Sequence, residues 1–230
     1  MAIATAIPRG DVTATLNFYQ PPAEKGATPF NAVDPYEGQP DRNFGDETHD
    51  TVIHDVRGRE ADFTLDRDAF QVIQDVPPSR ETSFADDESI KANYYPEVEA
   101  LLLSAIPGAN RIHLFDHTIR RADKNSNRKP VSRVHIDQTV KSVSQRVRHY
   151  FSEEEAEKLL AGRYRIVNVW RPLTKGPVES FPLGFASSAS LREDDVIPIE
   201  HRYRSGYTGQ TAAIRHNPAQ KWYYLSGMTG

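Results

Sequence analysis

The sequence predicts a mainly β fold, a barrel or jelly roll with helices set before and around its first central strands. Two observations lead there. Downstream of "RYRIVNVWRP", short strand candidates separated by turn residues recur at regular spacing: "PLGFA", "IEHRYR", "QTAAIRH" and "KWYYLS". Helix signals, by contrast, cluster between Asp86 and Gly162 and do not alternate with strands as a parallel α/β sheet requires.

The elements follow in chain order. The segment from Gly26 to Asp50 is rich in Pro, Gly, Asn and Asp, so the first 60 or so residues read as an irregular arm wrapped over a scaffold. "TVIHDVRG" and "FTLDRDAFQVI" look like strands around polar turns. A first helix is expected near "DDESIKANY". Pro96 suits the first turn of a second, "PEVEALLLSAI", with Val98, Leu101, Leu102 and Ala105 on one face and Pro107-Gly108 as the stop. "RIHLFDHTIRR" reads as a strand, then a polar loop, then the strand "SRVHIDQT". "SVSQRVRHYF" is expected to be helical. In "FSEEEAEKLLAGR", Ser152 and Glu155 form a capping-box pattern and Gly162 a C-terminal stop. "RYRIVNVWRP" is a strand candidate ended by Pro172. No repeat or low-complexity linker divides the chain, so residues 1–230 read as a single domain with that N-terminal arm.

Composition removes several function classes. With 230 residues, 38% hydrophobic and 26% charged, and a mean hydropathy of −0.62, the chain has the make-up of one water-soluble globular domain. The formal net charge of −4 gives no electrostatic case for nucleic acid or an acidic membrane. There are no cysteines, which excludes disulfides, thiolate metal sites and thiol catalysis. No apolar run reaches membrane-span length and no leader pattern opens the chain, so a cytoplasmic protein is expected. Gly-rich phosphate loops and the G-x-S-x-G elbow are missing, and Ser187 and Ser188 have no activating motif beside them.

The chemistry-bearing stretch is "SRVHIDQT". In an extended strand successive side chains face opposite ways, so His135 and Asp137 share a face while Val134 and Ile136 share the other. An imidazole and a carboxylate so placed are either two arms of a metal site or two polar residues of a half-buried strand facing water. With a distant second histidine they would make a 2-His-1-carboxylate triad, which leaves three coordination positions open on Fe(II).

The order of "AFQVI", "IKANYYPEVEALL", "GANRIHLFDHTIRR", "SRVHIDQT", "EEEAEKLLAGRYRIVNVWRPL", "GPVESFPLGF" and "HNPAQKWYYLSGM" resembles the fungal hydroxylase/desaturase family of secondary metabolism. That family includes aspergillic acid and gibberellin pathway enzymes and relatives of the cephem methoxylase component. The resemblance runs from about Phe63 to the end. It implies a double-stranded β-helix (jelly roll), Fe(II) and 2-oxoglutarate as cofactors, a small-molecule substrate to be hydroxylated or desaturated, and His135 and Asp137 as the first two iron ligands. It leaves the oligomeric state open.

The departures shape further expectations. In the family the distal histidine lies in a Pro-His-Thr segment downstream of the Trp-Tyr-Tyr-Leu stretch, and a co-substrate arginine follows it. The chain reaches Gly230 just after "WYYLSGMTG", which leads us to expect a jelly roll short of its last strands, with His135 and Asp137 exposed on an open side. Where the family carries a Cys-Asp pair, this chain has Phe185-Ala186. His201 and His216 are the alternatives for a third ligand, and "RHNPAQKWYY" assigns His216 a structural role. His117, Arg120 and Trp170 are candidates for substrate contact, and Arg171 for a carboxylate of the co-substrate, each with a structural role as its rival. An enzyme is the first reading; a truncated, non-catalytic binding or partner protein is the second.

Overall fold

The structure is a computed structural model that describes residues 9–120, 130–178 and 180–230. It divides into two compact units. The first takes the chain up to Val72, then Val131–Asn168 and Pro182–Gly227; the second takes Ile73–Pro130, Val169–Phe181 and Met228–Gly230.

The first unit holds two four-stranded sheets. β1 (Val12–Gln20) pairs antiparallel with β3 (Gly45–Asp55) along its whole length, from Val12 opposite Ile53 to Gln20 opposite Gly45. β2 (Phe30–Ala32) lies between them in sequence but belongs to the other sheet. A one-turn helix α1 (Leu65–Asp68) is capped by the Thr64 hydroxyl. Then come β4 (His135–Ile136), helices α3 (Val140–Tyr150) and α4 (Glu153–Leu160), and β5 (Gly184–Ala186), β6 (Val196–Arg202), β7 (Thr208–Ile214) and β8 (Trp222–Tyr224). The sheet orders are β1-β3-β8-β5 and β2-β6-β7-β4. β6 and β7 form a hairpin whose turn closes with the Tyr203 amide on the Tyr207 carbonyl, and Gly206 supplies the left-handed residue the turn needs at φ +83°.

Both sheets feed the core. Phe18 from β1, fully buried, packs with Ile53, Ile214, Trp222 and Tyr224, so one cluster draws on β1, β3, β7 and β8. A second joins Tyr19, Phe44, Ile199 and Ala213. Burying an aromatic of this size contributes about 1.5–3 kcal/mol, so these few rings decide how the sheets meet. This is the mainly β, jelly-roll class with flanking helices that the strand spacing predicts.

The second unit is built on one helix, α2 (Asp87–Ala105). Beside its N-terminus the buried Glu81 carboxylate accepts from the Ser83 and Phe84 amides and from the Ser83 and Ser89 hydroxyls. Those donors hold its pKa down at about 2, the Ser89 hydroxyl contributing most.

Four local expectations are corrected. The N-terminal region is no irregular arm: it carries β1, β2 and β3, because alternation over "VTATLNFYQ" and "GDETHDTVIHD" outweighs the Pro- and Gly-rich turns between them. "TLDRD" folds as the one-turn helix α1 instead of a strand, since Thr64 caps it and the Asp68 carboxylate returns to the Thr64 amide. The two helices expected around Pro96 are one. Ile90, Val98 and Leu102 stand at multiples of four on a single buried stripe, and burying it outweighs the hydrogen bond Pro96 cannot make. Finally, "RIHLFDHTIRR" and "RYRIVNVWRP" join no ladder among the described residues. Their composition suits a pleated surface, but a strand also needs a neighbour. Arg163 and Arg165 of the latter are held instead by Asp66 of α1.

Candidate metal site

β4 is two residues long, and its neighbours determine where its side chains go. On one side His135 and Ile136 pair antiparallel with Ala213 and Ala212 of β7. On the other, just upstream, the Val134 amide donates to the Asn17 carbonyl of β1. Arg133 fastens the strand's entrance: its guanidinium forms a two-pronged pair with Asp46 and stands 5.0 Å over the Phe44 ring. The exit is fastened too. Thr139 caps α3, exchanging hydrogen bonds with Ser142, and its hydroxyl donates to Gln210 Oε1 on β7 at 2.5 Å. The chain therefore leaves the strand after Ile136, and Asp137 falls in the bend between strand and helix.

Cross-strand partners share a face. His135 accordingly stands beside Ala213, on the side of the Tyr19–Phe44–Ile199 cluster, while Val134 packs with the Phe18 cluster. His135 Nε2 and Asp137 Oδ1 lie 3.3 Å apart, with side chains 40% and 52% exposed. Their remaining polar atoms are held from behind. His135 Nδ1 is 2.7 Å from the Arg133 carbonyl; a carbonyl only accepts, so Nδ1 donates and Nε2 is the nitrogen that faces Asp137. Asp137 Oδ2 accepts from Asn168 Nδ2 at 2.7 Å, which turns Oδ1 toward the imidazole.

Either a proton on Nε2 or a cation can join these two atoms. An ion bonded to both at about 2.1 Å, at roughly a right angle, separates them by about 3 Å, so the donor set fits a divalent metal. Hydrogen bonds from the non-ligating atoms to a carbonyl and an amide are the usual supports of metal-binding imidazoles and carboxylates. Among the described residues, no group of three or more His, Cys, Asp or Glu side chains gathers around a common point.

The two alternative histidines are engaged elsewhere. His201 Nε2 lies 2.8 Å from the Thr211 hydroxyl, and burial lowers its pKa. His216 stacks on His49, with ring centroids 3.6 Å apart and planes within 6°, edge-on to Phe18. Burial lowers its pKa, and the neighbouring His49 adds to the effect. Phe185, in the place of the family's Cys-Asp pair, stacks on Phe70 at 4.8 Å.

The remaining candidates lie in the second unit. His117 bridges the Tyr95 hydroxyl, 2.8 Å from Nδ1, and Asp87, 3.2 Å from Nε2. The Arg120 guanidinium sits 5.6 Å from the Trp170 ring, which is 47% exposed. Arg171 donates to the Pro77 carbonyl at 2.7 Å. Sequence reasoning missed Asn168 as part of the site. The available signal was one amide inside the apolar run "IVNVW". It missed Arg133 and Gln210 as braces because nothing in their local pattern marks them.

A family model described as "Oxidoreductase/YMDC permease-like domain" matches residues 16–230. Among curated proteins, the hydroxylase/desaturase poxK of Penicillium oxalicum is 36% identical over 96% of this chain and 76% of its own length. The Fe(II)/2-oxoglutarate-dependent dioxygenase nvfI of Aspergillus novofumigatus is 31% identical over 91% and 76%. Among solved structures, the iron and alpha-ketoglutarate-dependent endoperoxidase NvfI superposes with a TM-score of 0.81 at 26% identity, covering 96% of this chain and 82% of that one. A variant of it gives a TM-score of 0.85 at 25% identity, over 98% and 82%.

Proposed function

The chain belongs to the fungal hydroxylase/desaturase family, oxidoreductases of the Fe(II)/2-oxoglutarate dioxygenase type, and from that premise we propose that it oxidises a small secondary metabolite at an iron held by His135 and Asp137. The single observation that carries the assignment of ligands is the convergence of His135 Nε2 and Asp137 Oδ1, each with its other polar atom tied back. Bound there, Fe(II) supplies dioxygen activation coupled to decarboxylation of 2-oxoglutarate, which turns an unactivated C–H bond into a hydroxylated or desaturated product.

This chain's own residues set the conditions. The Arg133 carbonyl holds His135 at Nδ1, and Asn168 holds the carboxylate. Arg133–Asp46 and Thr139–Gln210 keep the two-residue strand from moving at either end. We assign no co-substrate role to Arg171, since its guanidinium braces the Pro77 carbonyl. His117, Arg120 and Trp170 are proposed as substrate-side residues on the family resemblance. Among the described residues no helix is long and apolar enough to cross a membrane; a small molecule as substrate and a cytoplasmic place of action complete the proposal.

The test is an anaerobic Fe(II) titration of the purified protein with 2-oxoglutarate present, watching for the weak visible charge-transfer band. The band should rise and saturate in the wild type and be lost in His135→Ala, with little change in melting temperature because that side chain is 40% exposed. Equal iron affinity in the two proteins would reject the site. A second reading, a binding or partner protein, draws on the two-residue donor set among the described residues. Succinate release that depends on 2-oxoglutarate decides against it; metal binding without turnover decides for it.

A further inference from the structure

We propose that a cleft on the β1-β3-β8-β5 sheet, on the face turned away from the Phe18 cluster, is a site for a small dipolar ligand. The ligand carries a carboxylate, an ammonium group and an aromatic ring, as an aromatic amino acid does. The inference stands apart from the metal reading, since neither His135 nor Asp137 lines this cleft.

The two-residue period of β8 places it. Trp222 and Tyr224 pack in the Phe18 cluster, so Tyr223 between them turns to the opposite face and meets the cluster of Val56, Phe63 and Phe70. Its ring stands edge-on to Phe63, with centroids 4.8 Å apart. Beside these two rings opens a cleft of about 350 Å³, lined also by Arg67 and Asp68 of α1, by Arg59 and Asp62 ahead of that helix, and by Lys221 at the entry to β8. That volume is at the small end of ligand-binding clefts and suits a molecule of amino-acid size.

The charges of the lining fall into two groups. Asp68 is buried and fully engaged: it accepts from the Thr64 amide at 3.0 Å, from Arg67 Nε at 3.0 Å and from the Ser187 hydroxyl at 2.9 Å. Arg67 is engaged with it and with the Asp62 carbonyl. The other group is unengaged. Among the described residues the Asp62 carboxylate, the Lys221 ammonium and the Tyr223 hydroxyl make no hydrogen bond or ion pair, and the Arg59 guanidinium makes one hydrogen bond, 3.3 Å from the Asp55 carbonyl. Asp62 thus lies beyond ion-pair distance of both Arg59 and Lys221, although all three line one cleft. A simple anion there would meet the repulsion of Asp62, and a simple cation that of Arg59 and Lys221. A ligand with both charges turns each repulsion into an attraction, and its ring can rest on Phe63 and Tyr223. Arg59, Asp62 and Lys221 are exposed, so screening keeps each contact weak and sets a dissociation constant on the order of 1 mM.

The experiment uses three probes that share a phenyl ring: L-phenylalanine with both charges, phenethylamine with the positive one and 3-phenylpropionate with the negative one. Each is titrated at low salt into the wild type, Asp62→Asn, Lys221→Gln and His135→Ala, with binding followed by saturation-transfer NMR. L-Phenylalanine should saturate the wild type, and each single-charge probe should bind about fivefold more weakly, the loss of one exposed pair. Asp62→Asn should weaken L-phenylalanine about fivefold without weakening 3-phenylpropionate; Lys221→Gln should weaken it as much without weakening phenethylamine. His135→Ala should bind L-phenylalanine like the wild type. Melting temperatures report folding, and the comparison of the three probes on the wild type decides the matter alone if a variant fails to fold. Equal affinity for the three probes, saturation by none of them, or wild-type affinity for L-phenylalanine in both cleft variants overturns the proposal. Loss of L-phenylalanine binding in His135→Ala overturns it too, by moving the ligand to the metal site.

Discussion

The entrance to β4 offers the most quantitative test of how packing sustains the site. Arg133 and Asp46 form a two-pronged ion pair with side chains only 24% and 30% exposed, and the same guanidinium lies 5.0 Å over Phe44. A charge-assisted pair of this kind contributes about 1.5–3 kcal/mol when well shielded, while fully exposed pairs contribute about 0–1. The partial exposure places this one near 1–2 kcal/mol on an order-of-magnitude basis, with about 0.5 kcal/mol more from the contact with the ring. Asp46 also meets Arg42, at 3.1 Å, so a single substitution at Asp46 disturbs two pairs. The perturbation is therefore a double-mutant cycle of Arg133→Met, Asp46→Asn and the two combined, followed by urea unfolding. Arg133→Met keeps much of the side chain's bulk on Phe44 and should lower stability by about 1–2 kcal/mol, a melting shift of about 2–8 °C for a chain of this size. The coupling term should be at least about 1 kcal/mol. The same variant should bind Fe(II) more weakly, because the carbonyl of Arg133 orients His135. A coupling term within about 0.3 kcal/mol of zero would refute the reasoning and leave β4 held by its β7 ladder alone.

Two further expectations concern pH. The Glu81 carboxylate is held at about 2 against an ordinary value of 4.5, so it contributes stability that is present above pH 4.5 and lost as pH falls toward 2. Glu81→Gln should flatten that acid limb in a series of denaturant midpoints, and an unchanged slope would show that its donors do not favour the charged form. His216 is shifted the other way in charge terms. Its folded pKa lies below 6.5, the unfolded chain takes up the proton first, and stability drops as pH falls from 6.5. His216→Phe keeps a ring against His49 and Phe18 and should make that drop shallower, with the half-buried His201 accounting for what remains. Identical midpoint-against-pH curves for the two proteins would count against the stacked pair as the cause.

How far the sequence could be read depended on the range of the interaction. "VHID" reads as an extended strand with His135 and Asp137 on one side; the strand stops at Ile136 and Asp137 lies in the bend beyond it, yet the two side chains stand 3.3 Å apart. Ser152 is a legible helix start because a cap is satisfied within three residues, whereas Thr139, read as the end of a strand, proves to cap α3. Longer apolar segments misled. "RYRIVNVWRP" has a strand's composition but pairs with no described strand, its Arg163 and Arg165 being held by Asp66 instead. The split expected at Pro96 failed when a four-residue stripe continued through it.

The parts of the site that were not legible are those that tune it. Arg133 reaches Asp46 across eighty-seven residues, and Asn168 reaches Asp137 across thirty-one. No local periodicity can encode such contacts; they exist only once β1, β3 and β7 have fixed where β4 lies. The order of dependence follows. The sheets place a two-residue strand, the bend after it brings Asp137 beside His135, and distant side chains then orient and brace the pair. A motif of three residues can therefore place a candidate pair and still say nothing about what braces it. Substitutions at Arg133 or Asn168 should alter metal affinity while the motif itself stays intact.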